Sequence, residues 1–373
     1  PEENGNIQMM LTGPSCSMSV NSPTANYVID WGDGMTENAS GTGSQSYPHT
    51  YADSGLYQVE IRNCGDVTSC MASTSCLVAY WSIGGSKVSY ITFDSCEKLI
   101  YFGKDVFKND KNRTNVSYLL YNCNSLSSVD LSPLASLVNV SNCSFLLHNC
   151  FSLTSVDLSP LASWVRVSNC RSLLTNCYKL TSVDLSPLAS WVNVSDCESF
   201  LSNCKSLTSI DLSPLSSWVR VNVCNYMLYY CDHLTTIDLT PLASWVNVSH
   251  CSNFMYGCYV LTSVDLSPLS SWVNVRECSS FLENCFIITS IDLTPLSNWV
   301  KIYSNSYLIA GCRSLTFVSV LSTTPFPLSS GALTNGNTCP IYVPDDAVDT
   351  YKTATNWSAY ASRIKPISEK TES

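Results

Sequence analysis

Aspartate returns every 27 residues, at Asp130, Asp157, Asp184, Asp211, Asp238, Asp265 and Asp292, with no insertion anywhere between the first and the last. Each sits in a variant of Leu153-Thr-Ser-Val-Asp-Leu-Ser-Pro-Leu-Ala-Ser-Trp-Val-Arg-Val-Ser-Asn-Cys-Arg-Ser-Leu-Leu-Thr-Asn-Cys177. A unit this short cannot bury an apolar face by itself, so a rigid period predicts one coil of a solenoid per unit, stacked on its neighbours. Domain organisation therefore follows the repeats and not the 373-residue length.

The unit breaks into pieces with physical meanings. In Thr154-Ser-Val-Asp-Leu158, Val156 and Leu158 alternate with Ser155 and Asp157, which predicts a half-buried strand. Ser159-Pro-Leu-Ala-Ser163 sets an N-cap residue before a proline at the first helical position and predicts a short helical turn. Trp164-Val-Arg-Val167 alternates again, predicting a second strand with Val165 and Val167 inward and Trp164 and Arg166 outward. Ser168 to Cys177 reads as a capped turn of helix carrying Leu173 and Leu174 inward, and Tyr178 and Lys179 loop back to Leu180.

Residues Leu153 to Leu161 fit Leu-x-x-Val-x-Leu-x-x-Leu, the leucine-rich-repeat strand pattern. Leu282-Glu-Asn-Cys-Phe-Ile-Ile-Thr-Ser-Ile291 and Met255-Tyr-Gly-Cys-Tyr-Val-Leu-Thr-Ser-Val264 resemble the Phe-x-x-Cys-x-x-Leu-x-x-Ile core of BspA-like leucine-rich repeats, with Leu or Met at the family's Phe position. Upstream, Trp31-Gly-Asp-Gly34 followed by His49-Thr-Tyr-Ala-Asp-Ser-Gly-Leu-Tyr57 resembles the PKD domain, an immunoglobulin-like module. Short alternating runs at Tyr27-Val-Ile-Asp-Trp31 and Leu56-Tyr-Gln-Val-Glu-Ile61 agree with a small β-sandwich there. Downstream, Pro340 to Ile364 is similar to the terminal segment of BspA-like proteins: a last strand, then Asp345 or Asp346 capping a helix with Ala347, Val348 and Tyr351 inward. The expected fold is mainly β, with an immunoglobulin-like sandwich over 1–80, a leucine-rich-repeat solenoid of 27-residue coils over 81–338, and a C-terminal strand–helix cap over 339–373.

Cysteines outside residues 1–80 form two columns. Cys96, Cys123, Cys150, Cys177, Cys204, Cys231, Cys258, Cys285 and Cys312 make the first, and Cys143, Cys170, Cys197, Cys224, Cys251 and Cys278 lie seven residues before six of these. Cys96, Cys123 and Cys312 persist where Ser89, Val116 or Asn305 takes the earlier position, so the first column does not depend on the second. It is expected to be a stack of buried thiols. Second-column thiols could bridge to the first or between coils, and no histidine column accompanies the sulfurs to make a metal site. Cys16, Cys64, Cys70 and Cys76 permit three pairings.

Two further columns are candidates for binding. The aspartates face away from the core, and stacked carboxylates repel. Either Ca2+ or a basic partner sits along them, or each accepts hydrogen bonds from nearby Ser hydroxyls and backbone. Trp164, Trp191, Trp218, Trp245, Trp272 and Trp299, with Leu137 in the first full repeat, form an outward stripe for sugar rings or a protein, or else stack at a coil corner. Asp33, between two glycines, is read as part of a hairpin turn and not a metal or phosphate loop.

Charge narrows the partners. A net charge of −10 with only 19 scattered basic residues excludes a phosphate-binding surface, so no nucleic acid is expected. No apolar run reaches the length of a membrane span. Twenty cysteines, sequons at Asn38, Asn112, Asn115, Asn139, Asn142, Asn193, Asn247 and Asn356, and a first residue, Pro1, suggesting a removed signal peptide all point to an extracellular or cell-surface location.

No metalloprotease helix, nucleophile elbow or phosphate loop occurs. Of the four histidines, His148, His233 and His250 occupy different places in their repeats and His49 lies outside them, so no enzyme is expected. Two classes remain. The resemblance to surface adhesion proteins implies a module binding a glycan or protein through the Asp or Trp face. The near-identity of the repeats suits a structural subunit of a filament, array or coat, connected by the PKD domain. Substitutions cluster at positions 166, 171, 178 and 179 and their equivalents on the outer turns, while the Asp and Trp faces stay uniform, as suits a periodic partner.

Overall fold

The computed structural model describes residues 5–89, 91–334 and 338–370. The chain divides into two compact units, one ending at Val165 and the other beginning at Arg166.

The first unit opens with eight strands: β1 (Ile7–Thr12), β2 (Ser15–Ser22), β3 (Val28–Asp30), β4 (Thr36–Asn38), β5 (Gly43–Thr50), β6 (Leu56–Arg62), β7 (Ser69–Ala72) and β8 (Leu77–Ser82). Alternation in β2 buries Cys16, Met18, Val20 and Ser22 and leaves the intervening residues exposed. One sheet runs β4-β3-β6-β1-β8, the other β5-β2-β7. The sheets pack on each other: Tyr80 of β8 donates to the Cys70 carbonyl of β7 at 3.3 Å, and the hydroxyls of Tyr27 and Tyr47 meet at 2.6 Å. The expected boundary after residue 80 falls inside β8. That strand pairs antiparallel with β1 and parallel with β9 (Tyr101–Phe102), so a segment of the following chain becomes the sheet's sixth strand.

Trp31-Gly-Asp-Gly34 forms the hairpin turn between β3 and β4. The Trp31 amide donates to Met35 O at 3.0 Å, and Gly32 and Gly34 take positive φ. A Cβ on Gly32 would lie 2.3 Å from the Gln58 carbonyl oxygen, so the position accepts only glycine.

Coils follow in both units. The strand expected at Thr154–Leu158 is an extended segment with Leu158 buried and Ser155 and Asp157 exposed, tied to its neighbour through one residue, the Thr154 amide and hydroxyl both donating to Ser127 O at 3.0 and 3.1 Å. The second unit repeats this link at Thr262 N to Thr235 O, 3.1 Å. Continuous pairing begins only near the end, where β10 (Ser290–Asp292), β11 (Phe317–Ser319), β12 (Ile341–Val343) and β13 (Ile364–Pro366) form a parallel sheet. The Ser-Pro-Leu segment is a five-residue 3-10 turn in every repeat, from Ser132–Ser136 to Thr294–Asn298.

Two expectations are corrected. Trp164-Val-Arg-Val167 is not a strand. Trp164 closes the 3-10 turn, its amide donating to Leu161 O at 3.0 Å, and the chain turns again through Val165. Burial thus follows a spacing of three: Trp164 and Val167 are buried, and Val165 is 49% exposed. Nor is Ser168 to Cys177 a helix. From Cys170 on, alternate amides leave the coil: Cys170 N, Ser172 N, Leu174 N and Asn176 N donate to Asp196 O, Glu198 O, Phe200 O and Ser202 O at 2.7–3.0 Å. The intervening amides of Leu173, Thr175 and Cys177 donate three residues back within the coil. A helix would spend every amide internally and leave nothing to join the coils. The alternation needs left-handed backbone at Ser172 and Asn176, with φ of 55° and 62°, and places both Leu173 and Leu174 in the core.

At the C-terminal end, α1 (Val348–Thr353) follows a 3-10 turn over Asp345–Ala347. Ala347 and Tyr351 are buried and Val348 is half-buried. Neither Asp345 nor Asp346 caps the helix; Asp345 instead accepts the Ser368 amide at 3.0 Å. Because β11, β12 and β13 continue the parallel ladder, the cap is built as further, irregular rungs.

The indoles of Trp164, Trp218, Trp245, Trp272 and Trp299 each reach back one coil, Trp245 Nε1 donating to Leu215 O at 2.9 Å. Trp245→Phe removes that donor and part of the packed volume, and urea unfolding is expected to register a loss of about 1–3 kcal/mol. Val246→Thr, beside it but exposed, is expected to stay within about 0.5 kcal/mol of the parent.

Candidate functional site

All seven column aspartates are exposed, and all seven do the same local work. Oδ1 of Asp130, Asp157, Asp184, Asp211, Asp238, Asp265 and Asp292 accepts the amide two residues on, from Ser132, Ser159, Ser186, Ser213, Thr240, Ser267 and Thr294, at 2.8–2.9 Å. That amide opens the 3-10 turn and would otherwise lack an acceptor. Hydroxyls of Ser159, Ser213, Ser267 and Thr294 bond the same carboxylates. Hydrogen bonds from the Ser186 hydroxyl and amide hold Asp184 below the usual carboxylate range, and Thr240 does the same for Asp238. Each carboxylate of the column thus has a capping role of its own. Among the described residues no group of three His, Cys, Asp or Glu side chains comes together to hold a metal.

The tryptophan stripe is corrected. Trp164, Trp191, Trp218, Trp245, Trp272 and Trp299 are all fully buried, as is Leu137, so none can dock a partner. Within the second unit Trp191, Trp218, Trp245, Trp272 and Trp299 stack in near-parallel succession, with centroids 6.1–6.3 Å apart. The residue facing solvent is the next one: Val138 and Val165 in the first unit, and Val192, Val219, Val246, Val273 and Val300 in the second, all 45–67% exposed.

Every cysteine is buried. In the first column Cys123 and Cys150 donate to Phe93 O and Leu120 O, and Cys204, Cys231, Cys258, Cys285 and Cys312 to Leu174 O, Leu201 O, Leu228 O, Met255 O and Leu282 O, at 3.1–3.4 Å. Cys96 and Cys177 are likewise buried. Second-column thiols of Cys170, Cys197, Cys224 and Cys251 donate to the next coil at 3.5–3.6 Å. Burial pushes the thiols of Cys150 and Cys312 up to about 12. Of the sequon asparagines, Asn38, Asn112, Asn115 and Asn247 are exposed, and Asn139, Asn142, Asn193 and Asn356 half-buried.

The histidines serve separate local roles. His49 bonds Asp33 at 2.8 Å and stacks on Trp31 with centroids 4.5 Å apart. Burial opposes ionisation of Asp33, but the Met35 amide and the His49 ring outweigh it and hold the carboxyl low. Asp33 is thereby occupied in fixing its turn. Burial lowers His148 to about 4, His233 meets Lys205 O at 2.7 Å, and His250 meets Ser249 Oγ at 2.6 Å.

What varies lies on the outer turns. Following each first-column cysteine of the second unit come Tyr178, Lys205, Asp232, Tyr259, Phe286 and Arg313, different in nearly every coil. Their variability was visible in the sequence; their importance was not, because the uniform columns drew attention first.

Iodoacetamide is expected to leave all twenty cysteines of the native protein unmodified and to modify all twenty in denaturant without reductant; protection that survives denaturation would reveal disulfides. Asp184 and Asp238 have depressed folded values, so the stability they add is present above the unfolded carboxylate value near 4 and is lost as pH falls through the folded one. Asp184→Ala and Asp238→Ala are therefore expected to lower Tm at pH 7, with the deficit closing below about pH 4. Calcium or a chelator is expected to leave the parent Tm unchanged.

No protein-family profile and no curated protein matches this chain. Among solved structures it is similar to a leucine-rich repeat protein from Bacteroides ovatus, at 15% identity over 86% of this chain and 90% of that one, with a TM-score of 0.32. A leucine-rich cell surface protein from Faecalibacterium prausnitzii matches at 15% identity over 63% of this chain and 73% of that one, with a TM-score of 0.28. The functional domain of InlJ from Listeria monocytogenes, described as including a cysteine ladder, matches at 12% identity over 72% and 69%, with a TM-score of 0.16. These structural neighbours are leucine-rich-repeat proteins, and among the described residues of this chain no helix is long and apolar enough to cross a membrane.

Proposed function

We propose that this chain is a non-enzymatic, extracellular surface protein that binds a glycan or protein partner through its coils, in the manner of an adhesion module. One observation carries the reading. The constant columns are consumed in folding: Asp in capping, Trp and Cys in the interior. The exposed outer turns beside them change from coil to coil through Tyr178, Lys205, Asp232, Tyr259, Phe286 and Arg313. Selective recognition needs a surface that breaks the repeat, and these part-exposed and exposed positions break it. The hairpin turn locked by Asp33 and His49, on two packed antiparallel sheets, supports assigning the first strands as a PKD-type, immunoglobulin-like module.

A second reading rests on the exposed valines. In the second unit Val192, Val219, Val246, Val273 and Val300 present the same apolar group once per coil, and a periodic apolar stripe fits a periodic partner such as another copy in a filament, array or coat. Electron microscopy of concentrated protein separates the two. Adhesion predicts single particles; ordered polymers that Val219→Thr with Val246→Thr disperses would establish the structural reading instead.

A further inference from the structure

The second unit breaks its own repeat most sharply in one place. Where one coil carries Ser202, Asn203 and Lys205, the next two carry Tyr229, Tyr230 and Asp232, then Tyr256, Gly257 and Tyr259. We propose that the resulting aromatic platform, Tyr229, Tyr230, Tyr256, Tyr259 and Phe286, is a docking site for a neutral hexose oligosaccharide, a proposal that names the ligand class and locus of the adhesion reading and rests on it.

The rings are organised. Tyr229 stacks on Tyr256 with centroids 5.0 Å apart, and Tyr259 on Phe286 at 4.8 Å with the planes 7° from parallel. Tyr230 joins the two pairs edge-on, 5.2 Å from Tyr256 and 5.7 Å from Tyr259. All five are part-exposed, and Tyr226, 5.3 Å from Tyr229, extends the surface.

The arrangement costs the fold something, which argues against incidental aromatics. Position 230 has φ of 51°, where the column elsewhere uses Asn176, Asn203 and Asn284, residues that tolerate the left-handed region better than tyrosine. Its ring also lies where a side chain one coil on would begin. A Cβ at Gly257 would stand 2.7 Å from Tyr230 Cδ1, so the asparagine of the column gives way to glycine there. Glycine at 257 leaves room for that part-exposed ring, as glycine at 311 leaves room for the Asn284 side chain one coil before it. Strain of this kind collects at sites that do something.

The chemistry selects the occupant. Four of the five rings are tyrosines, which present a flat apolar face with a hydroxyl at its edge, and a pyranose offers the complementary C–H face and hydroxyl rim. Hydrogen-bonding groups border the rings: Asn284 Nδ2 donates to the Tyr256 hydroxyl at 3.0 Å, and the half-buried carboxylate residue Asp232 lies on the same column as Tyr259. Cations stand only at the ends, Lys205 over Tyr178 at 5.5 Å and Arg313 over Phe286 at 5.1 Å. With carboxylates within the patch and −10 on the chain, a neutral sugar fits where an anionic one or a nucleic acid is repelled.

The test is titration of the whole chain with neutral hexasaccharides of glucose, mannose and galactose, alongside a binding assay on intact cells. The variant Tyr229→Ser, Tyr230→Asn, Tyr256→Ser, Gly257→Asn, Tyr259→Lys restores the residues of the neighbouring coil, and so keeps the fold while removing the rings. Parent protein is expected to bind at least one hexasaccharide, the variant at least about tenfold more weakly at an unchanged Tm, and Val219→Thr like the parent. Failure of the parent to bind any of the three at millimolar concentration, or equal binding by the variant, overturns the proposal. If cell binding persists in the variant, the adhesion reading stands and the site lies elsewhere. If the variant loses cell binding while the parent binds no sugar, the platform takes a protein and the sugar proposal falls.

Discussion

The division of labour among the backbone amides of the outer turn is the constraint on which everything else depends. Between Cys170 and Cys177 every amide is used, and they alternate between the next coil and their own. A coil made this way cannot be satisfied alone: half of its donors have acceptors only when another coil is stacked beside it. The geometry that permits it is a left-handed residue every fourth position, Ser172 and Asn176 in one coil, Ser199 and Asn203 in the next. Since asparagine bears that conformation at low cost, its recurrence before the first-column cysteine is a backbone requirement.

Carbonyls, which can accept twice, take up the rest. Leu215 O receives the Trp218 amide from its own coil and the Trp245 indole from the next; Leu174 O receives the Cys177 amide and the Cys204 thiol. The two columns are therefore alike in kind. Each is a side-chain donor that reaches one coil back to a core residue's carbonyl already in use, and each must recur because its partner does. A buried indole N–H without an acceptor would cost about 1–3 kcal/mol, so the column tolerates tryptophan only where the preceding turn presents that oxygen.

Much of this was legible in sequence. Period, coil count, the Ser-Pro turn, the inward Leu173 and Leu174 and the strands at residues 27–31 and 56–61 all rest on local composition, and the structure places them as expected. The two misread segments share a cause. Trp164-Val-Arg-Val167 alternates like a strand, yet the 3-10 turn before it delivers Trp164 pointing inward, and the next inward position is three residues on. Ser168 to Cys177 has helix-like spacing of apolar residues, but the competing hydrogen bonds come from another coil, and no local pattern reports them.

The same contrast decides where function can reside. Uniformity along a solenoid is ambiguous on its own, because a periodic ligand and a periodic interior both produce it. The exposed aspartates illustrate this: they look like a charged face, but each carboxylate is held by the amide that starts the following turn. Once the uniform positions are assigned to the interior and its caps, and the Leu, Phe and Met exchanges at 173, 200, 227, 254 and 281 to core packing, the variation left lies on the outer turns. A change such as tyrosine at 230 together with glycine at 257 disturbs no alternating ladder, for Tyr230 N still donates to Tyr256 O and Gly257 N to Glu283 O. The ladder accommodates such substitutions at a local cost, which leaves them able to respond to a partner.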